Sequence, residues 1–301
     1  MNKKITVIGS LNYDVILKIP RLPFKGETLT ANGATFSAGG KGANQAVQAA
    51  KLKTPTYMVG CVGTDASADF LVNTAKEYGV NVDYIRKVPG SSGMGVINAV
   101  EDGSVYACIV RGANFEVTKE DVDNAMPILK ESGVCILQNE IPVEIIAYAI
   151  DKAKEAGCTV VLNAAPAIEL PEECLSKVDI LVVNEVEAEF YCHEKIDSVE
   201  KAKTEIKKMA EKYNNNVIFT LGKDGAVAYE NGTIEFIPAM KVDAIETTGA
   251  GDTFCGCVLH YICEHGMEGL DENKLKEMLT FANAAASVIT TRKGALRVMP
   301  T

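Results

Sequence analysis

The sequence predicts an α/β fold in which helices cover both faces of a mostly parallel central sheet. The sequence has six short apolar runs, and several of them are nearly continuous in Val, Ile and Leu, which is typical of strands buried on both faces of a parallel sheet. Helical patterns separate these runs, and the alternation indicates a three-layer α/β/α arrangement. The predicted strands are 5–9, 56–62, 133–138, 159–163, 179–184 and 216–221.

Seven segments have the apolar spacing of a helix with one buried face. Two of them, 252–265 and 272–290, follow one another at the end of the chain. No linker rich in Pro, Gly or Ser and no internal repeat divides the 301 residues, so a single α/β domain over 1–301 is predicted. The other predicted helices are 43–53, 66–78, 120–131, 143–156 and 199–213.

Two segments interrupt this alternation. Residues 12–37 contain short extended runs with turn residues, and residues 92–111 contain two β-rich runs joined at the Asp-Gly pair 102–103. An Asp-Gly pair between two such runs is a strong hairpin signal. We expect the two segments to pair into a small lid sheet attached to the parallel core.

The composition is that of a globular protein, with 47% hydrophobic and 23% charged residues. A formal net charge of −10 argues against general nucleic-acid binding, which needs clustered Lys and Arg, but it does not exclude a small anionic ligand. No signal-peptide pattern and no run of about 18 apolar residues occurs, so a cytoplasmic protein without a membrane partner is expected. Nine cysteines without a CxxC pair give little support for a zinc site.

The stretch SAGGKGANQAV (37–47) places three glycines before an Ala-rich helix. It is neither a Walker A loop nor a GxGxxG dinucleotide fingerprint. One interpretation is a tight turn before a closely packed helix. The other is a backbone that a ligand can approach closely, with Lys41, Asn44 and Gln45 binding its hydroxyl groups. The residues alone leave both interpretations open.

Asn12 and Asp14 follow the first predicted strand. A polar residue at the end of a buried strand in an open α/β sheet is well placed to meet a ligand. Asn donates and accepts hydrogen bonds, and an ionised Asp accepts them from two hydroxyls. Turn residues that satisfy the local backbone are an equally good explanation of the pattern.

The stretch ETTGAGDTFCG (246–256) leads into a helical pattern whose apolar stripe begins at Phe254. The N–H groups and the positive dipole end of a helix N-terminus favour an anion. Three glycines exceed what a helix cap requires and indicate a backbone that wraps a developing negative charge, such as a transferring phosphoryl group. For Asp252 an N-cap and a chemical role are the competing interpretations.

Eight stretches carry a resemblance over essentially the whole chain, in order. They are GSLNYD (9–14), GGKGANQAV (39–47), QNEIP (138–142), NAAPA (163–167), VNEVEAE (183–189), TLGKDGA (220–226), TTGAGDTFCG (247–256) and TRKGA (291–295). Together they resemble the ribokinase, or pfkB, family of carbohydrate kinases. The resemblance implies a ribokinase-like fold and a phosphotransferase that uses ATP and Mg²⁺. The acceptor it implies is the 5-hydroxyl of D-ribose.

The resemblance also assigns site residues. Asp252 is the base that faces the sugar hydroxyl, and the N–H groups of Gly249, Ala250 and Gly251 form the anion hole. Glu187 faces the water shell of Mg²⁺. The sugar-binding residues are Asn12, Asp14, Gly40, Lys41, Asn44 and Glu140. The nucleotide-binding residues are Asn184, Thr220, Gly222, Gly225 and Asn283.

The family binds a monovalent cation, typically potassium, near the start of the catalytic stretch. By the resemblance, the cation site in this chain is formed by Glu246, Thr248, Arg292 and Gly294. Glu246 stands where the family usually has Asp, and Val298 replaces a residue whose side-chain oxygen often helps to hold the potassium. We therefore expect a weaker or shifted potassium site.

Two other interpretations remain open. One is the same chemistry on another acceptor, which is either another sugar, such as deoxyribose or fructose, or a nucleoside. The other is a sugar-binding protein that has lost catalysis. Intact Gly249, Gly251 and Asp252 argue against the second. A dinucleotide-dependent oxidoreductase lacks support because there is no GxGxxG fingerprint. Proteins similar to this family often cover the exposed lid by dimerising, so a homodimer through the lid is expected.

Overall fold

A computed structural model describes residues 3–102, 104–267, 272–294 and 296–301. Its strands are β1 (Ile5–Ile8), β2 (Asn12–Ile19), β3 (Gly33–Gly39), β4 (Thr56–Val62), β5 (Asn81–Lys87), β6 (Gly93–Val100), β7 (Val105–Val110), β8 (Val134–Gln138), β9 (Thr159–Asn163), β10 (Ile180–Asn184), β11 (Asn216–Thr220), β12 (Ala226–Glu230) and β13 (Thr233–Ile237). Its α-helices are α1 (Lys41–Lys51), α2 (Ala68–Glu77), α3 (Lys119–Asn124), α4 (Met126–Leu129), α5 (Val143–Glu155), α6 (Glu172–Leu175), α7 (Glu185–Cys192), α8 (Val199–Tyr213), α9 (Ala250–His265) and α10 (Glu272–Thr290). Short 3₁₀ helices cover Gly112–Glu116, Gly222–Asp224 and Leu296–Val298.

A nine-stranded sheet forms the centre of the protein, in the order β13-β12-β11-β10-β9-β8-β1-β4-β5. The seven strands from β11 to β5 in this order pair in parallel, and β12 and β13 add an antiparallel hairpin at one edge. All six predicted strands lie in the parallel part. The predicted α/β fold with helices on a mostly parallel sheet is therefore confirmed.

Successive residues of the central strands enter two separate apolar cores, one on each face of the sheet. In β8, Val134 and Ile136 pack with α1, α9 and α10, whereas Cys135 and Leu137 pack with α5 and α8. Side chains alternate between the two faces of a strand, so a strand covered on both faces is apolar at most of its positions. This explains the continuous apolar runs in the sequence.

Polar residues occupy the last position of four neighbouring parallel strands. They are Gln138, Asn163, Asn184 and Thr220, the final residues of β8, β9, β10 and β11. Because these strands run in the same direction, the four side chains meet at one edge of the sheet. This edge holds the candidate site.

A second sheet of four strands has the order β3-β2-β6-β7. Its strands come from the two segments that interrupt the α/β alternation, and β6 and β7 pair antiparallel as a hairpin. Gly103, in the Asp-Gly turn of that hairpin, lies outside the described residues. Only three residues separate the end of β1 from the start of β2, so Asn12 and Asp14 lie on this smaller sheet close to the main sheet. The division of the chain into one domain with a lid stays a prediction.

One predicted element differs from the structure, and several elements of the structure were not predicted. The single helix at 120–131 is two short helices, α3 and α4, because Pro127 lies in the first turn of α4, where it lacks the N–H group that would continue α3. Strands β5, β12 and β13 and helices α6 and α7 were not predicted. In the described part of the chain, no helix is both long and apolar enough to cross a membrane.

Candidate active site

A polar pocket of about 180 Å³ lies at the carboxyl ends of the parallel strands. Ligands of open α/β sheets bind at this edge. Three of the strand-ending residues contribute to its wall, together with the start of α1, α7 and α9. The lining residues are Lys41, Asn163, Ala165, Val182, Asn184, Glu187, Thr220, Gly249, Gly251, Asp252 and Cys255.

Helix α9 begins beside this pocket with Gly249 as its N-cap. Gly249 has φ 80° and ψ 1°, a left-handed conformation that favours glycine, and no side chain caps the helix. The N–H of Ala250 donates to the carbonyl of Thr247 over 3.2 Å, whereas those of Gly249 and Gly251 have no acceptor among the described residues. Of the three predicted anion-hole donors, two are therefore free.

Asp252 is the third residue of α9 and not its N-cap, which corrects the capping role considered for it. Its side chain is 8% exposed and turns towards α1. Asn44 Nδ2 donates to Asp252 Oδ2 over 2.8 Å, and Gln45 Nε2 donates to Oδ1 over 2.9 Å. Each carboxylate oxygen thus accepts one amide hydrogen and keeps further capacity to accept another. The carboxylate is fixed in orientation and still available to a ligand.

A chain of buried amides stands behind this carboxylate. Gln138 Nε2 donates to Gln45 Oε1 over 2.7 Å. Gln45 Nε2 also donates to Asn163 Oδ1 over 3.0 Å, and Asn163 Nδ2 donates to the carbonyl of Val182 over 3.2 Å. Gln45 is fully buried and uses both ends of its amide within the protein. Its environment therefore favours a role in orienting Asp252 over the predicted binding of ligand hydroxyls.

Asn44 differs from Gln45 because part of its amide is unused. Its Nδ2 is bonded to Asp252, but its buried Oδ1 has no hydrogen-bond partner among the described residues. A buried acceptor left without a donor is costly, so a ligand hydroxyl that donates to it would be favoured.

Lys41 is the cationic side chain that lines the pocket. Burial alone would lower its pKa, but the negative charges of Asp252, Glu140 and Glu187 outweigh burial and raise it. Lys41 therefore stays protonated at neutral pH. The backbone N–H of Lys41 donates to Glu140 Oε2 over 3.1 Å, and Ser10 Oγ donates to the same oxygen.

Gly40 shapes the turn that brings Lys41 to this place. It has φ 89°, and a Cβ there would lie 2.8 Å from the backbone nitrogen of Asn12 and 2.9 Å from the carbonyl oxygen of Ser10. Both the conformation and the contact require glycine. The glycine-rich stretch before α1 thus allows close backbone packing, which agrees with the interpretation of a tight turn before a closely packed helix.

Asp14 lies between two glycines of the smaller sheet. A Cβ at Gly39 would lie 2.0 Å from Asp14 Oδ2, and a Cβ at Gly95 would lie 2.4 Å from Oδ1, so the carboxylate fits only because both are glycine. Burial, followed by the charges of Glu140 and Asp252, raises the pKa of Asp14 to about 7, against a hydrogen bond from the Gly95 backbone. Near neutral pH, Asp14 is therefore present in both its protonated and its ionised form.

Asn12 is buried, and its Oδ1 accepts from Asn114 Nδ2 over 2.7 Å. Asn114 Oδ1 in turn accepts from the backbone N–H of Leu11 over 2.9 Å. This pair fixes the junction between β1 and β2. Asn12 therefore has a structural partner, and its own amide nitrogen is the part that remains for a ligand.

Asn184 and Glu187 form a reciprocal cap at the start of α7. Asn184 Oδ1 accepts from the backbone N–H groups of Val186 and Glu187, over 2.8 and 3.0 Å, and Glu187 Oε2 accepts from the N–H of Asn184 over 2.9 Å. Burial raises the pKa of Glu187 above its ordinary value, although the hydrogen bond from the Asn184 backbone and the charge of Lys41 act in the opposite direction. Glu187 still lines the pocket, with its second oxygen free for a ligand.

The predicted nucleotide-binding residues are only partly brought together. Thr220 and Asn184 line the pocket, whereas Gly222, Gly225 and Asn283 lie outside its wall. Gly225 has φ 116°, and a Cβ there would lie 2.0 Å from the carbonyl oxygen of Ile237. Asn283 Nδ2 donates to the carbonyl of Pro238 over 2.8 Å, which ties α10 to the chain after β13.

The four residues predicted to hold a monovalent cation lie in two neighbouring loops. Glu246 Oε2 accepts from the backbone N–H of Gly294 over 3.1 Å, and the backbone N–H of Glu246 donates to the carbonyl of Thr290. Arg292 Nη1 donates to the carbonyl of Val298 over 3.2 Å, and Thr248 is exposed. In the described part of the chain no three His, Cys, Asp or Glu side chains are grouped as metal ligands.

Several site residues were not predicted. Gln138 and Asn163 occur in matching stretches but were given no role, and Asn114 lies in no motif. Cys255, which lies in the predicted helix 252–265, was given no role in the site. It is buried, and burial raises its pKa, but it also lines the pocket one helical turn after Asp252.

Comparisons with known proteins agree with this geometry. The model of the pfkB family carbohydrate kinases matches residues 2–301. A deoxyribokinase from Salmonella typhi is 38% identical over 264 residues, covering 87% of this chain and 86% of the relative. A ribokinase from Staphylococcus aureus (strain COL) is 34% identical over 302 residues, covering 100% of this chain and 97% of the relative. The structure of Arabidopsis thaliana ribokinase complexed with ribose and ATP superposes with a TM-score of 0.88 at 32% identity, covering 100% of this chain and 96% of that one.

Proposed function

The chain belongs to the pfkB family of carbohydrate kinases, and from this premise we propose that it transfers the γ-phosphoryl group of ATP to the 5-hydroxyl of D-ribose. The products are D-ribose 5-phosphate and ADP. The observation that carries the proposal is the placement of Asp252. Two amides orient its carboxylate at the N-terminus of α9, beside two unpaired backbone N–H groups.

In this proposal Asp252 orients the attacking hydroxyl and accepts its proton as the new O–P bond forms. Phosphoryl transfer depends on positioning and charge stabilisation more than on covalent help. The N–H groups of Gly249 and Gly251, together with the dipole of α9, face the charge that develops on the phosphoryl oxygens. Lys41, held protonated by the surrounding carboxylates, adds a positive charge to the same pocket.

The sugar is proposed to lie between the smaller sheet and α1. Ionised Asp14 accepts from two ring hydroxyls, and Asn44 Oδ1 accepts from one more. Glu140, which is fixed by Ser10 and the backbone of Lys41, lies on the same side. Several fixed polar groups around one small polyol give the orientation that transfer to a single hydroxyl requires.

The nucleotide is proposed to bind along the ends of β10 and β11. Thr220 and Asn184 face its phosphates, and Gly222, Gly225 and Asn283 shape the wall further out. Mg²⁺ usually keeps several waters and takes few protein carboxylates, so the one free oxygen of Glu187 suits an ion bound mainly through phosphates and water. When bound, the ion neutralises charge on the phosphates.

A monovalent cation is proposed to bind weakly between the two neighbouring loops, mainly through backbone oxygens. Thr248, Arg292 and Gly294 supply carbonyl groups, and Glu246 supplies a carboxylate. One oxygen of that carboxylate already accepts from the N–H of Gly294. The carboxylate is therefore partly used by the protein, in keeping with a weakened site.

A second acceptor, 2-deoxy-D-ribose, is favoured by one comparison. The Salmonella typhi relative that is 38% identical carries the name deoxyribokinase, whereas the named ribokinases are 33–34% identical. The two sugars differ only in the 2-hydroxyl, so the ratio of their kcat/KM values separates the two functions. A ratio that favours deoxyribose would replace ribose in the proposal and leave the chemistry unchanged.

The smaller sheet is proposed to form a homodimer. All six residues of its edge strand β7 are exposed, and Phe36 on β3 is 56% exposed. An exposed apolar edge invites pairing with another chain, and a second copy of the same sheet would cover it.

The test is ADP release measured over a panel of pentoses, hexoses and nucleosides, with Asp252→Asn beside the wild type. We expect turnover with a pentose and a loss of about 10²–10⁴-fold in kcat for Asp252→Asn, the usual contribution of a general base. Glu264→Gln, which removes a carboxylate near the other end of α9, is the matched control and should keep full activity. No turnover with any acceptor would leave a sugar-binding protein, and full activity of Asp252→Asn would exclude Asp252 as the base.

A further inference from the structure

A second pocket, of about 310 Å³, lies at the amino-terminal ends of the parallel strands. We call it the amino-end pocket. It is lined by Lys154, Gly157, Cys158, Thr159, Asp179, Asn216, Glu230, Asn231 and Met267. Thr159 and Asn216 begin β9 and β11, whose opposite ends, Asn163 and Thr220, line the candidate active site. A five-residue strand spans about 13 Å at ~3.3 Å per residue, so the two pockets are separate.

Glu230 is the unusual residue of this pocket. It ends β12, in the antiparallel hairpin that turns at Asn231, and its side chain is only 5% exposed. Its carboxyl group has no hydrogen bond or ion pair to any other described residue. Burial raises its pKa to about 7, because no cation in the described part of the chain compensates the lost hydration.

The other charged groups that line the pocket are already paired. Lys154 Nζ donates to both oxygens of Asp179, over 2.7 and 2.8 Å, and the backbone N–H of Val160 donates to Asp179 Oδ2 over 2.7 Å. Lys154 and Asp179 cancel in charge, so an ionised Glu230 leaves the pocket with a net charge of −1. Burial raises the pKa of the Cys158 thiol to about 11, so it adds no charge at neutral pH.

We propose that the amino-end pocket binds a small organic monocation with a primary ammonium group, which pairs with the Glu230 carboxylate. One positive charge matches the single uncompensated carboxylate. The volume exceeds what one metal ion would fill, and the amides of Asn216 and Asn231 and the hydroxyl of Thr159 offer hydrogen bonds to the rest of a polar ligand. This site is independent of the proposed sugar and nucleotide sites.

The probe is ethanolamine, with ethylene glycol as its neutral analogue and KCl as a metal cation, at constant ionic strength set with NaCl. A ligand that binds only the folded state raises the midpoint of thermal unfolding with its concentration. We expect a rise with ethanolamine and none with ethylene glycol or KCl. Glu230→Gln should abolish the rise, whereas Glu235→Gln, the same change on the neighbouring strand β13, should keep it.

Three results would overturn the proposal. A rise retained in Glu230→Gln would show that Glu230 does not bind the amine. An equal rise with ethylene glycol would remove the role of charge, and a rise with KCl that Glu230→Gln abolishes would assign the pocket to a metal ion.

A second measurement uses the unaltered protein and does not depend on how the variant folds. In ¹⁵N–¹H NMR spectra, ethanolamine should shift the backbone amides of Thr159, Asn216, Glu230 and Asn231. Shifts confined to Gly249, Gly251 and Asp252 would instead place the amine in the candidate active site and contradict the proposal.

Discussion

Gln45 and Asp252 lie 207 positions apart in the sequence, and a hydrogen bond of 2.9 Å from Gln45 Nε2 to Asp252 Oδ1 joins them in the core. The acceptor end of Gln45 is itself held by Gln138 on β8. The orientation of the proposed base is therefore set by the central sheet, through α1, and not by its own helix alone.

Gln45→Met should lower kcat on the order of 10- to 100-fold, because a carboxylate that loses one of its two amide donors is no longer held in one geometry. KM for the sugar should change less. Steady-state kinetics on the best acceptor from the ADP-release panel measures both values.

Gln48→Met is the matched control for that variant. Gln48 lies one turn further along α1, is equally buried, and donates to the carbonyl of Pro300 over 3.1 Å, away from Asp252. Both variants should lose stability by about 1–3 kcal/mol, the cost of leaving buried polar groups without partners. An equal loss of kcat in both would show that the effect is one of stability and that Gln45 does not orient the base.

The kcat/KM for the sugar should rise as pH increases through about 7. The pKa of Asp14 is raised to about 7, so Asp14 is protonated below that pH and ionised above it, and only the ionised form accepts from two hydroxyls. The measurement is a profile of kcat/KM from about pH 5.5 to about pH 8.5, which extends roughly 1.5 pH units to each side of this pKa.

Two variants test the assignment of that pH dependence. Asp14→Asn should lower kcat/KM and remove the step near neutral pH. Glu140→Gln removes a charge that raises the pKa of Asp14, so it should move the step to lower pH. A step that stays unchanged in both variants would belong to another group.

Potassium should activate the enzyme weakly and without sharp saturation. Glu246 is one methylene longer than the usual Asp and already accepts from the N–H of Gly294, and Val298 offers no side-chain oxygen. Activity is measured while KCl replaces NaCl at constant ionic strength. A sharp, saturating activation at low millimolar KCl would contradict the expectation.

Ile109→Glu should convert a dimer into a monomer. Ile109 is 52% exposed on the edge strand β7, and a charge there cannot be buried against a second copy. Light scattering after size exclusion gives the molar mass. Val186→Glu, at a position on α7 that is 68% exposed, places the same charge elsewhere and should leave the mass unchanged. A wild-type protein that is a monomer would end the dimer proposal.

The parallel part of the fold could be predicted because the central strands are apolar at most positions on both of their faces. Strand β5, with the sequence NVDYIRK, lies at the edge of the sheet and is half polar, so its periodicity is weak. The hairpin of β12 and β13 carried an Asn-Gly turn signal at 231–232 that was not used. Helix α7 begins with the pattern of a reciprocal cap, in which Asn184 is followed three residues later by Glu187, and that pattern had been interpreted only through the resemblance.

Site residues could be predicted where local sequence shapes the backbone, as at Gly40 and Gly249. The hydrogen-bond partners of Asp252 could not be predicted from the sequence. Whether Gln45 faces a ligand or Asp252 depends on how α1 packs on α9, and the amide type permits both. Asn114 was missed for the same reason, since it meets Asn12 only through a contact 102 positions away in the sequence.

Asp14 and its flanking glycines belong to the smaller sheet, whereas Asp252, Gly249 and Glu187 belong to the main body. On the proposed function, the choice of acceptor and the chemistry of the donor are therefore encoded in different pieces of the chain. Mutations in β2, β3 or β6 could redirect the protein to a new sugar while the phosphoryl-transfer apparatus is inherited intact. Such a division makes substrate preference the property that evolution changes first, and relatives named for ribose and for deoxyribose at similar identity are what it would produce.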